Sequence, residues 1–137
     1  VLDVLDYTSL RKALAGLARA IDRSVPASAD EELRDAAILR FEYTYELCWK
    51  MLRHRMMAEA ADPGGVGAMS YRELIRKGAA RGFVADPSAW MRYRELRNLS
   101  SHTYDEAKAD EVSRSIPAFQ RDAVALLAAL TREDDGD

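Results

Sequence analysis

Apolar residues recur every three or four positions along most of the chain, and no stretch alternates apolar with polar residues as a half-buried strand would. Leu10, Leu14, Leu17 and Ile21 share one face of a helix expected from about Ser9 to Ser24, with Pro26 and the small residues around it ending that helix. Asp30 is placed to cap the next one. Its apolar positions Leu33, Ala37, Phe41, Tyr45, Cys48, Leu52 and Met56 keep helical spacing for about seven turns, which makes it the long central element.

The segment ADPGGVGAM breaks this rhythm and is expected to be a flexible connector. A phosphate-cradling loop does not fit, because no strand precedes the glycines and no Gly-Lys-Ser/Thr follows them. Ser70 with Glu73 reads as a capping box that opens a short helix closed by Gly82. Asp86 followed by Pro87 is a second start signal, for a helix carrying Trp90, Tyr93 and Leu96. Thr103 with Glu106 suggests another box, opening a last helix with Val112, Ile116, Phe119, Ala123, Leu126 and Leu130 on one face, which Pro117 should kink or split. The expected fold is all-α, an antiparallel bundle of about five helices in a single domain over residues 1–137, ending in the acidic tail TREDDGD, expected to be solvated and disordered.

Composition narrows the chemistry. A net charge of -3 leaves no overall basic field of the kind that marks a dedicated duplex-DNA binder, so any nucleic-acid contact must be local. One cysteine, Cys48, rules out an intramolecular disulfide and multi-cysteine metal centres and points to a reducing compartment. With His54 and His102 the only histidines, no metal site is expected. Asp3, Asp6, Arg11 and Lys12 interrupt the apolar residues of the N-terminal stretch, so neither a signal core nor a spanning segment is expected there, and the protein reads as cytoplasmic.

The candidate chemistry concentrates in RNLSSHTYD, Arg97 to Asp105. On a continuous helix Arg97 and His102 point about 140° apart. A helix ending near Ser101 would put His102 in a turn, free to swing back toward Arg97, with Asn98 and Ser101 bonding the freed backbone groups. A bland reading has Arg97 paired with Glu95 or Glu42, His102 as a polar turn residue and Tyr104 packed on the last helix. The functional reading starts from the guanidinium fork, which suits a phosphodiester, and an imidazole that moves protons near neutrality. Together they would support RNA cleavage without a metal, the 2′-hydroxyl attacking, His102 moving the proton and Arg97 stabilising the phosphorane. Glu42 and Glu46, one turn apart, would orient Arg97 or serve a helix interface. Trp90 and Tyr93 would line the cleft or, more simply, pack.

Three stretches, RFEYTYELCWK (40–50), YRELIRKGAARGF (71–83) and RNLSSHTYDE (97–106), resemble the HEPN superfamily and within it the HepT-like or nucleotidyltransferase substrate-binding proteins. The resemblance implies a dimeric helical bundle encoded beside a minimal nucleotidyltransferase. In the toxin branch the R-x4-H-x-Y motif supplies ribonuclease residues, which fall on Arg97 and His102. The partner is an antitoxin that transfers AMP from ATP to the motif tyrosine, which falls on Tyr104, and the chain itself needs no cofactor. A non-catalytic subunit that binds substrate for that enzyme, or is its substrate, is the alternative from the same family. The pattern departs at one position: relatives carry an acid directly before the motif arginine, and this chain has Leu96, with Glu95 one residue earlier.

Overall fold

The computed structural model describes residues 6–24 and 30–132, and six helices make up its frame. They are α1 (Thr8–Ser24), α2 (Glu31–Glu59), α3 (Pro63–Gly67), α4 (Tyr71–Ala80), α5 (Pro87–Leu99) and α6 (Glu106–Thr131), with a single 3₁₀ turn, Ser100–His102, following α5. Among the described residues there is no strand. The expected stop at Pro26 and the acidic residues after Arg132 lie outside the described residues. Thr131, expected in the tail, is the last residue of α6.

Several helices begin where a side chain can satisfy freed backbone donors. Asp30 accepts from Glu32 and Leu33, Asp86 accepts from Ala89, and Ser70 and Glu73 form the reciprocal box. Gly82, at φ 84°, closes α4 in a Schellman motif, with Phe83 N–H donating to the Gly78 carbonyl at 2.8 Å and Gly82 N–H to that of Ala79 at 3.0 Å.

Three expectations need correction. The glycine segment is not an open connector: Pro63 starts a five-residue helix pinned by buried Val66. The cap of α6 is Asp105, whose carboxylate accepts from Ala107 and Lys108, and not Thr103, whose backbone (φ -69°, ψ -11°) is already helical where a cap must be extended. Pro117 does not split α6, which runs unbroken through it. Ile116 and Phe119, both buried on either side of the proline, hold the two halves in the core, and their packing outweighs the roughly 3 kcal/mol a mid-helix proline costs.

Helix α2 packs against α1, α3, α4, α5 and α6, so it is the spine of the bundle. The core is one contiguous cluster centred on Phe119, which is fully buried and meets Phe41, Tyr93 and Trp90 edge to face with centroids 4.9, 5.2 and 5.8 Å away. Trp90 and Tyr93 are therefore packing residues. Arg34 crosses from α2 to α6, donating to Glu106 at 2.7 Å and lying 3.8 Å from Asp110, and so fixes the start of α6 against the spine. Among the described residues no helix is long and apolar enough to cross a membrane.

Replacing Phe119 by alanine should lower unfolding stability by about 3–5 kcal/mol in urea titrations. The same truncation at half-exposed Val124 should stay within about 0.5 kcal/mol. Equal effects at the two positions would contradict this placement of the core.

Candidate functional site at the α5 to α6 junction

The last turn of α5 tightens because two serines bond backward. Ser100 Oγ lies 2.6 Å from the Arg97 carbonyl and Ser101 Oγ donates to the Asn98 carbonyl at 2.9 Å. These bonds occupy carbonyls that a helix end leaves free and favour the 3₁₀ turn that follows. His102 sits on that turn, and its carbonyl accepts from Asp105 N–H at 3.0 Å just before Asp105 caps α6. Capping and back-bonding thus take the chain round a corner between Arg97 and Tyr104.

Arg97 is tied to the spine. Its Nη1 donates to Glu42 at 3.1 Å, and its Nε lies 3.7 Å from Glu46, too far for a hydrogen bond, so that this buried N–H has no hydrogen-bond partner among the described residues. Ser100 Oγ is hydrogen-bonded to the same Glu42 carboxylate and lies 3.4 Å from Arg97 Nη1. Glu42 and Glu46, four residues apart, present their carboxylates to the arginine from one face of α2. The acid that pairs with Arg97 is thus Glu42, from a distant helix, while exposed Glu95 sits 3.8 Å from Arg92. Leu96, directly before the motif arginine, is a buried core residue.

His102 and Tyr104 form a second group. The imidazole Nδ1 lies 3.0 Å from the Tyr104 hydroxyl, and the rings stand edge to face with centroids 5.7 Å apart. Tyr104 is 82% exposed, so it does not pack on the last helix. With Nδ1 turned to the phenol, Nε2 is left for another partner. Among the described residues no hydrogen bond joins the Arg97 group to the His102 group, although both flank the same short turn.

Beside Arg97 a groove of about 320 Å³ opens between α2, α4 and α5. Glu46, Trp49, Arg53, Tyr71, Arg94 and Asn98 are among the residues that line it. Asn98 lines the groove and gives its backbone carbonyl to Ser101, while among the described residues its side chain bonds none of the freed backbone groups it was expected to meet. Ser100, Arg53 and Arg94 did not stand out in the sequence. For Ser100 the signal was its place three residues after Arg97, within reach of that carbonyl; for the two arginines no local pattern marks them, because only the packing of α2 against α5 brings them to one groove.

Residues 5–132 match the family model described as nucleotidyltransferase substrate binding protein like. A Haemophilus influenzae Rd protein described as a probable ribonuclease HepT is 33% identical over 112 residues, which cover 82% of this chain and 77% of that protein. Two solved structures are similar along nearly their whole length. One, from H. influenzae, is described as revealing the fold of a substrate binding domain of a nucleotidyltransferase; it aligns with a TM-score of 0.87 and 29% identity, covering 93% of this chain and 100% of that one. The other, from Thermus thermophilus, aligns with a TM-score of 0.77 and 31% identity, covering 90% and 99%. With the match running through every helix described, the chain belongs to the HepT-like family of nucleotidyltransferase substrate-binding proteins.

Proposed function

We propose that this chain is the toxin of a two-gene toxin–antitoxin pair, a homodimeric ribonuclease that needs no metal and is silenced when a partner nucleotidyltransferase transfers AMP to Tyr104. The observation that carries the reading is the exposed Tyr104 phenol 3.0 Å from the His102 imidazole, one short turn beyond an arginine held in place by Glu42.

In cleavage, the RNA 2′-oxygen attacks the adjacent phosphorus as His102 takes its proton, Arg97 stabilises the charge on the phosphorane, and the 5′-oxygen leaves and is protonated. The products are a 2′,3′-cyclic phosphate and a 5′-hydroxyl. One histidine serves as base and a second is needed as acid, which is the chemical reason for two copies. We assign the second copy to the face of α2 on which Leu39 (65% exposed) and Tyr43 (57%) stand out to solvent one turn apart beside Glu42 and Glu46.

The choice of Tyr104 follows from the six tyrosines. Burial raises the phenol pKa of Tyr7, Tyr45 and Tyr93, and pushes that of half-buried Tyr71 up to about 12, with its hydroxyl donated to the Trp90 carbonyl, which makes these four poor nucleophiles. Tyr43 and Tyr104 are exposed, and of these Tyr104 has a base beside it. In the transfer the phenol oxygen forms a bond to the α-phosphorus of ATP, the bond to the bridging oxygen breaks, pyrophosphate leaves, and the phenol proton passes to a base such as His102. The product replaces the O–H facing His102 by a phosphodiester, whose charge and bulk oppose entry of a second phosphate.

A second reading has its own support: the single positive charge of Arg97 faces two carboxylates, which suits a structural anchor in a non-catalytic substrate-binding subunit. Cleavage assays separate the two. The purified protein should cut single-stranded RNA in the presence of a chelator, and His102→Ala and Arg97→Ala should each slow cutting by about 100-fold or more with helix content unchanged. Cutting that persists in both variants refutes the assignment, and no cutting by the wild type alongside a stable complex with the nucleotidyltransferase supports the binding subunit. The double variant Leu39→Glu, Tyr43→Glu should sediment as a monomer with native helix content, and a surviving dimer would show that its interface lies elsewhere.

A further inference from the structure

The groove beside Arg97 has the chemistry of a nucleotide site. Arg94 lies over the Tyr71 ring at 4.9 Å and Arg53 over the Trp49 ring at 5.0 Å. The Tyr71 ring is oriented by its hydroxyl, which donates to the Trp90 carbonyl at 3.0 Å, and it meets Trp49 edge to face. Among the described residues no carboxylate lies within ion-pair distance of Arg53 or Arg94, in contrast to Arg34, Arg55, Arg81, Arg92 and Arg97. Two guanidinium groups without such partners, each resting on an aromatic ring at the wall of one groove, are an arrangement suited to a phosphate and a planar base. The groove's volume of about 320 Å³ falls at the small end of ligand sites, enough for one nucleotide and not for a folded segment.

We propose that Trp49, Arg53, Tyr71, Arg94 and Asn98 form a subsite for one nucleotide of single-stranded RNA, next to the phosphate held at Arg97. This rests on the ribonuclease reading for the identity of the strand, and it assigns the groove a role apart from cleavage. The arginines engage the backbone phosphate that flanks the reacting one. The base lies against the aromatic rings or the guanidinium planes, a contact open to every base, and the Asn98 amide offers both a donor and an acceptor to the base edge. The overall charge of -3 does not oppose this, because the contact is local: Arg53, Arg94 and Arg97 line one groove with Glu46 as the acid among the lining residues.

The test is binding of a fluorescent 2′-O-methyl oligonucleotide, which cannot be cleaved, followed by anisotropy across a range of salt concentrations. Arg53→Ala and Arg94→Ala should each weaken binding by about ten-fold, and every phosphate interaction removed should make the salt dependence shallower by about 0.7 in logarithmic slope. Lys12→Ala, which removes an exposed positive charge on α1 away from the groove, should bind as the wild type does. Should Arg53→Ala and Arg94→Ala remain helical and bind with wild-type affinity, the subsite is refuted while the roles of Arg97 and His102 stand. Titration with AMP alone distinguishes a free nucleotide from a strand: AMP that binds through Arg53 and Arg94 where the oligonucleotide does not would overturn the RNA assignment. Binding of the oligonucleotide that depends on both arginines, in a wild type that cuts no RNA, would uphold the subsite and remove the ribonuclease reading instead.

Discussion

The carboxylate of Glu42 is the point on which the junction turns. It takes one hydrogen bond from Arg97 and one from Ser100, and so joins the spine of the bundle to the last turn of α5. A charged hydrogen bond of this kind, partly removed from water, is stronger than one between neutral groups, and leaving either partner unpaired would cost more than the bond itself is worth. The single Ser100 hydroxyl proton is shared between this carboxylate and the Arg97 carbonyl, so the carboxylate that aims the arginine also meets the end of the helix. The position of the guanidinium and the path of the chain into His102 and Tyr104 are thereby set by one contact. Arg34 performs the matching task at the other side of the turn, holding Glu106 at the start of α6.

Much of the fold is legible in the sequence because the physics that decides it is local. The three- and four-residue spacing from Leu33 to Met56 needs only one face to be buried, and α2 follows it closely. The caps at Asp30, Ser70 and Asp86 are decided within three residues. The start of α6 shows where local reasoning fails. Thr103 and Glu106 have the spacing of a capping box, but Glu106 is drawn to Arg34, 72 residues away, and the backbone of Thr103 is bent by the 3₁₀ turn, so Asp105 takes the cap. Likewise Asp62 and Pro63 repeat the start signal of Asp86 and Pro87, but the glycines that follow hide it, and what pins that short turn is Val66 reaching the core.

The candidate site was legible in its parts more than in its arrangement. Arg97, His102 and Tyr104 stand within one polar stretch, and a helix end before His102 follows from the residues themselves. That Glu42 rather than Glu95 pairs with Arg97, and that Arg53 and Arg94 share a groove with Trp49 and Tyr71, depends on how α2, α4 and α5 pack. Packing also decides the position before Arg97: the Leu96 side chain is spent on the core, and the charge facing Arg97 is supplied from α2.

The reading of the junction as a regulated site makes its sharpest demand on the tyrosines, since Tyr43 is exposed as well as Tyr104 but has no hydrogen-bonded base beside it among the described residues. The measurement that bears on it most directly is intact mass followed by peptide mapping of this chain after co-expression with its nucleotidyltransferase. The account predicts AMP on the peptide containing Tyr104 and none on that containing Tyr43. An unmodified chain in a stable complex with an active nucleotidyltransferase, or AMP carried on Tyr43, would contradict it.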